Sequence, residues 1–237
     1  MQTAREDINL WIPLMKYVAG ISNGSSCGLP VGSQRENYDF ATAQGPSGLW
    51  WYGGGTGRPG PQRKCTAEEK KIGIPGHGPG TVDVFCGSGW PSFIIDHPAV
   101  RNRMWQWATF LYDTHGELLY EMCAGFANPG PQDRGFNGTD GWDQQLTSGG
   151  NGEGTLLYPG RPDKIGGKTH IPVGSLRMVM IREGQEDYEW LMAAARVVGR
   201  ERVEQTMAPV MTSARNFTSR PEVIWSTREV LAALIVG

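Results

Sequence analysis

The chain has 237 residues, 39% of them hydrophobic and 10% aromatic, which is material for one large cored domain or two small ones. Lys and Arg number 22 against 24 Asp and Glu, and the net charge of −2 excludes a polybasic nucleic-acid surface and an acidic solvating tail. The 34 glycines and 16 prolines follow no period and nine tryptophans are spread among them, which excludes collagen-like and low-complexity readings.

No run of about 18 apolar residues is present, so no membrane span is expected. The opening from Met1 to Asp7 is polar and charged, so no signal peptide is expected, and the compartment stays open. Cys27, Cys65, Cys86 and Cys123 form no C-x-x-C pair, so neither a zinc ribbon nor a thioredoxin-like site is expected. Cys65 and Cys86 could close a loop in a secreted parent; four free thiols are the alternative. Asn23, Asn137 and Asn216 begin N-glycosylation triplets, a short and unspecific signal.

In chain order, Ile8 to Leu14 is a short apolar run rich in β-branched and aromatic residues, and it predicts a buried strand stopped by Pro13. Leu14 to Val18 could begin a short helix, and residues 19–47 read as polar and Gly/Ser-rich, a stretch in which a barrel could hide a return helix near Arg35 to Thr42. Gly48 to Tyr52 predicts a second strand, followed by a long Gly/Pro loop to about residue 90. Asp96 as N-cap and Pro98 in the first turn open a helix whose Val100, Met104, Trp107 and Leu111 form a core stripe, with Gly116 after its last turn. Glu117 to Met122 then reads as a strand, and helix–glycine–strand is the step of a parallel α/β architecture. Thr155 to Tyr158 is a further strand, closed by Pro159 and Gly160. Ser175 caps a long helix in which Gly184 hints at close packing. Two more helices, Arg200 to Met211 and Pro221 to Val236, give a helical end.

The formal G-x-G-x-x-G at Gly55 to Gly60 is followed by Pro61 and contains Pro59, which block the helix a dinucleotide site needs; no cofactor is expected. His77, His97, His115 and His170 lack metal-ligand spacing, and no metal site is expected. An aromatic and carboxylate set remains at strand ends: Trp51 and Tyr52, then Tyr120 and Glu121, then Tyr158. In a parallel barrel such positions line the active face, where flat rings suit the C–H faces of sugars. The alternative is that these aromatics are core; side chains alternate along a strand, so Trp50 and Trp51 cannot both face one way.

Two longer segments carry a resemblance. Asn151 to Gly160 (NGEGTLLYPG) resembles the "NGDG-x-LLYPG" segment of glycoside hydrolase family 123, whose relatives were once grouped as domain of unknown function 4091. Ser175 to Arg177 with Ile181 to Leu191 is similar to that family's "S-x-R…IRDG-x-EDYEYL" helix, and shorter upstream matches keep the family's order over roughly residues 8–195. The resemblance implies the C-terminal portion of a TIM-like (β/α)8 barrel over residues 1–195, with C-terminal α-helices over 196–237 packed on it. It also implies action on N-acetyl-β-hexosaminides by retaining hydrolysis, in which the substrate acetamide is the nucleophile and an adjacent Asp-Glu pair assists.

This chain contains no Asp-Glu dipeptide; Glu186–Asp187 is reversed and mid-helix, which reads as packing. No catalytic residue is therefore assigned, and Glu121 is a weak candidate acid standing where the family has tryptophan. The expected partners are a carbohydrate or glycoconjugate and an N-terminal half-barrel, with neither nucleic acid nor membrane. The rival expectation is a sugar-binding remnant using Trp51, Tyr52, Asp96, Tyr120, Trp142 and Asn151.

Overall fold

A computed structural model describes residues 10–11, 35–43, 48–53, 91–95, 97–119, 122–123, 142, 146–147, 150–152, 154–214 and 216–237. The short helix that Leu14 to Val18 could begin, the loop to residue 90, and Cys27, Cys65 and Cys86 lie outside these residues.

Strands β1 (Leu10–Trp11) and β2 (Gly48–Gly53) fall within the apolar runs, and helix α1 (Arg35–Ala43) occupies part of the polar stretch between them, where a return helix could be hidden. Helix α2 (Val100–Leu111) and strand β3 (Gly116–Leu119) follow. β1, β2 and β3 form one parallel sheet in that order, with Trp51 opposite Glu117, so β2–α2–β3 is the expected crossover. The helix is shorter at both ends than the capping residues suggest, and Ala99, not Asp96, takes its N-cap. It ends at Leu111, and Gly116 opens β3 instead of closing α2. His115 stitches the join: its N–H donates to the Leu49 carbonyl (2.7 Å) and its Nδ1 accepts from the Leu49 N–H (3.0 Å).

β4 (Leu146–Thr147) and β5 (Gly150–Asn151) pair antiparallel. β6 (Leu157–Gly160), a short helical turn α3 (Pro162–Ile165) and β7 (Ile171–Gly174) follow. The strand expected over Thr155 to Tyr158 is shifted: it begins at Leu157, and Pro159 and Gly160 continue it into an antiparallel hairpin with β7. Pro159 faces Pro172 across that hairpin, a pair in which neither ring can donate. The Met122 carbonyl accepts the N–H groups of Leu156 (2.8 Å) and Leu157 (3.1 Å), so β6 starts just beyond the C-terminal end of β3. The described sheets are small and no closed barrel is seen among them.

The C-terminal part comprises α4 (Leu176–Val198), α5 (Arg200–Met207), a hairpin of β8 (Met211–Ser213) and β9 (Asn216–Phe217), and α6 (Pro221–Val236). α5 stops before Pro209, whose ring disfavours helix in the residue before it, and the chain then turns into the hairpin. One core runs through these pieces: Met104, Trp107 and Phe110 of α2 pack with Leu191 and Ala194 of α4, Val203 and Met207 of α5, and Ile224 and Leu231 of α6. α2 is buried almost all round, since residues 102–110 are all enclosed.

Gly184 lies where α4 crosses α2. A methyl group there would stand 2.9 Å from the Arg103 carbonyl oxygen and press on the Gln106 side-chain oxygen. Gly184→Ala gains helix propensity but must spread the crossing, so we expect a net loss of about 1–3 kcal/mol in urea unfolding. A stabilised variant would contradict this close approach.

Candidate functional site

Two polar clusters hold the core elements in register. The first surrounds Asp187, fully enclosed in mid-α4. Its carboxylate accepts a fork from Arg103, with Nε on Oδ2 and Nη2 on Oδ1 (2.6 Å), and the Trp107 indole N–H donates to Oδ2 (2.8 Å). Arg228 of α6 adds a second guanidinium 3.6 Å away, also facing Glu183 and Glu186 at 3.8 Å. All of these hydrogen bonds end on Asp187 and join α2 to α4, a packing role, whereas Glu186 beside it is exposed.

The second cluster centres on Arg177, in the first turn of α4 and 7% exposed. Nη1 donates to the carbonyls of Phe93 (2.8 Å) and Gly152, and Nη2 to the Thr155 carbonyl and the Tyr158 hydroxyl oxygen (3.0 Å). Four N–H bonds thus gather two distant segments, Phe93 and residues 152–158, onto one guanidinium of α4. Gly152 is required at this clasp: its φ is +76°, and a side chain there would meet Ile95 at 2.6 Å and Arg177 at 2.8 Å. Ser175 takes the N-cap position as expected but makes no cap bond, and its hydroxyl oxygen is buried without a partner.

Above this clasp, Trp142 and Tyr158 form a tilted ring pair, centroids 5.0 Å apart and planes at 45°. The Trp142 indole N–H donates to the Pro159 carbonyl (2.7 Å), which fixes the ring, while the residue stays 39% exposed. Asn151 ends β5 immediately before Gly152, so the structure brings Trp142, Tyr158 and the Asn151 backbone to one place. Trp51 and Tyr52 lie in β2 of the parallel sheet. Asp96, Tyr120 and Glu121 lie outside the described residues.

The chain matches no protein-family model and no curated protein.

One functional group escaped the sequence reading. Glu117 follows the first residue of β3 and turns toward α2, where Thr109 Oγ1 lies 2.6 Å from Oε1 and Gln106 Nε2 donates to Oε2 (3.0 Å). Burial pushes its carboxyl up to about 7, against these two hydrogen bonds, which favour the charged form. Thr109 Oγ1 also lies 3.0 Å from the Trp105 carbonyl, and one hydroxyl proton cannot serve both oxygens. A neutral Glu117 resolves the conflict by donating to Thr109, which donates in turn to Trp105. Below about pH 7 this carboxyl holds its proton and joins strand to helix. Among the described residues, no three His, Cys, Asp or Glu side chains converge as metal ligands would, and no helix is long and apolar enough to cross a membrane.

Proposed function

We propose that the chain is a glycoside hydrolase-like domain that holds N-acetyl-β-hexosaminides against the Trp142–Tyr158 pair and does not itself cleave them. The observation that carries this reading is an aromatic pair, Trp142 exposed and Tyr158 half-buried, whose rings are pinned by hydrogen bonds from below. Rigid rings offer flat apolar faces to sugar C–H groups at low entropic cost. The pair lies beyond the C-terminal end of a parallel strand, where α/β folds place ligands, and the Asn151–Gly160 segment under it carries the family resemblance. The absence of an Asp-Glu dipeptide argues against turnover, because substrate-assisted hydrolysis needs one neutral and one ionised carboxyl side by side. In the family, that pair lies upstream of the region this sequence resembles.

Tryptophan fluorescence titrated with N-acetylgalactosamine should show a saturable change in the millimolar range. Trp142→Ala should weaken binding at least about tenfold and leave the circular dichroism unchanged, since the ring is a surface group. Across pH 4 to 8 the purified chain should not hydrolyse 4-nitrophenyl N-acetyl-β-galactosaminide. Turnover abolished by Glu121→Gln would overturn the non-catalytic part, and an unmoved fluorescence signal would return the aromatics to a structural role.

A further inference from the structure

We infer that the sugar held at Trp142 and Tyr158 carries a negative charge: an N-acetylhexosaminide bearing a sulfate or a carboxylate. This rests on the sugar-binding reading and adds the electrostatics of the same site. A buried guanidinium is normally neutralised by a carboxylate, because taking a lone charge out of water is costly. Arg177 is buried, yet its partners are three backbone carbonyls and a phenol, and it joins no ion pair among the described residues. Its placement compounds the excess. It lies in the first turn of a 23-residue helix, where the aligned peptide dipoles already leave partial positive charge. Asp187, by contrast, neutralises Arg103 within the same helix pair.

A second observation points the same way. The stretch between β6 and β7, which leads directly from the aromatic pair, carries Arg161, Lys164, Lys168 and His170, with Asp163 as its one acid. Residues 163–170 are all exposed, and Asp163 is already engaged by Arg161 at 3.1 Å. In a chain of net charge −2 this basic excursion stands against the average. The pair thus lies over a cation that meets no carboxylate among the described residues, and the loop that follows it in sequence carries an excess of basic residues.

The full chain should be titrated calorimetrically with N-acetylgalactosamine, N-acetylgalactosamine 6-sulfate and N-acetylmuramic acid, in about 20 mM and about 500 mM salt. The anionic sugars should bind about five- to tenfold more tightly than the neutral one at low salt, with most of that advantage lost at high salt as screening shortens the field. Gain for the sulfate alone would narrow the class to sulfated sugars. Lys168→Gln, at an exposed position, should lower the ratio by about twofold without altering the fold. Equal or tighter binding of the neutral sugar would overturn the inference and leave the sugar-binding reading standing. An anion preference undiminished in Trp142→Ala would also overturn it, by assigning the charge effect to the loop and not to the aromatic site. No binding of any of the three would remove both.

Discussion

Asp187→Ala is expected to lower the unfolding free energy by about 3–5 kcal/mol, the largest single-residue effect in the chain. The substitution strands Arg103, whose fork is buried against this carboxylate, and leaves the Trp107 N–H without its acceptor. It also removes one of the carboxylates facing Arg228, so three helices lose a common anchor. Breaking one side of a buried pair costs more than the pair contributes, because the surviving charge keeps its desolvation penalty. Urea denaturation monitored by circular dichroism checks this. A loss below about 1 kcal/mol would mean that Arg103 reaches solvent or another acid, and that the helix junction is apolar packing alone.

The second large effect is a pH dependence that Glu117→Gln should abolish. Glu117 has its folded carboxyl raised to about 7 from an ordinary 4.5, so the folded state binds the proton more tightly than the unfolded chain does. Its contribution is complete below pH 4.5, declines as pH rises, and is gone above about 7. The decline amounts to on the order of 3 kcal/mol across that window. Glutamine is neutral at every pH, can donate to Thr109 and can accept from Gln106, so the variant keeps the strand–helix join without the titration. At pH 8 the variant should therefore melt higher than the wild type, while near pH 4.5 the two should converge. Parallel stability curves from pH 4 to 8 would show that the carboxyl is hydrated and charged throughout.

The sequence made the β2–α2–β3 unit legible because its signals are local: an apolar run, a stripe at helical spacing and a glycine before the next strand. Gly184 was likewise readable as a close approach, though its neighbours Arg103 and Gln106 were not. What remained hidden depends on contacts far apart in the chain. Tyr158 lies in an antiparallel hairpin because Leu157 to Gly160 meets Ile171 to Gly174, a pairing that the Pro-Gly pair gave reason to doubt. Arg177 collects acceptors as distant as Phe93, and Glu117 finds Thr109 and Gln106 only once α2 folds back over β3. Of the expected sugar contacts, Trp142 and Tyr158 meet in space although sixteen positions separate them, which no periodicity announces. The hairpin at 211–217 takes over the end of the expected Arg200–Met211 helix, because Pro209 disfavours helix in the residue before it and α5 ends at Met207.

The most direct test of the account is a calorimetric titration of the full chain with methyl N-acetyl-β-galactosaminide and, in parallel, methyl β-galactoside. The account predicts saturable binding of the N-acetylated sugar, at least about tenfold weaker binding of the plain galactoside, and loss of both in Trp142→Ala with an unchanged melting curve. Equal affinity for the two sugars, or binding that survives removal of the Trp142 ring, would contradict it.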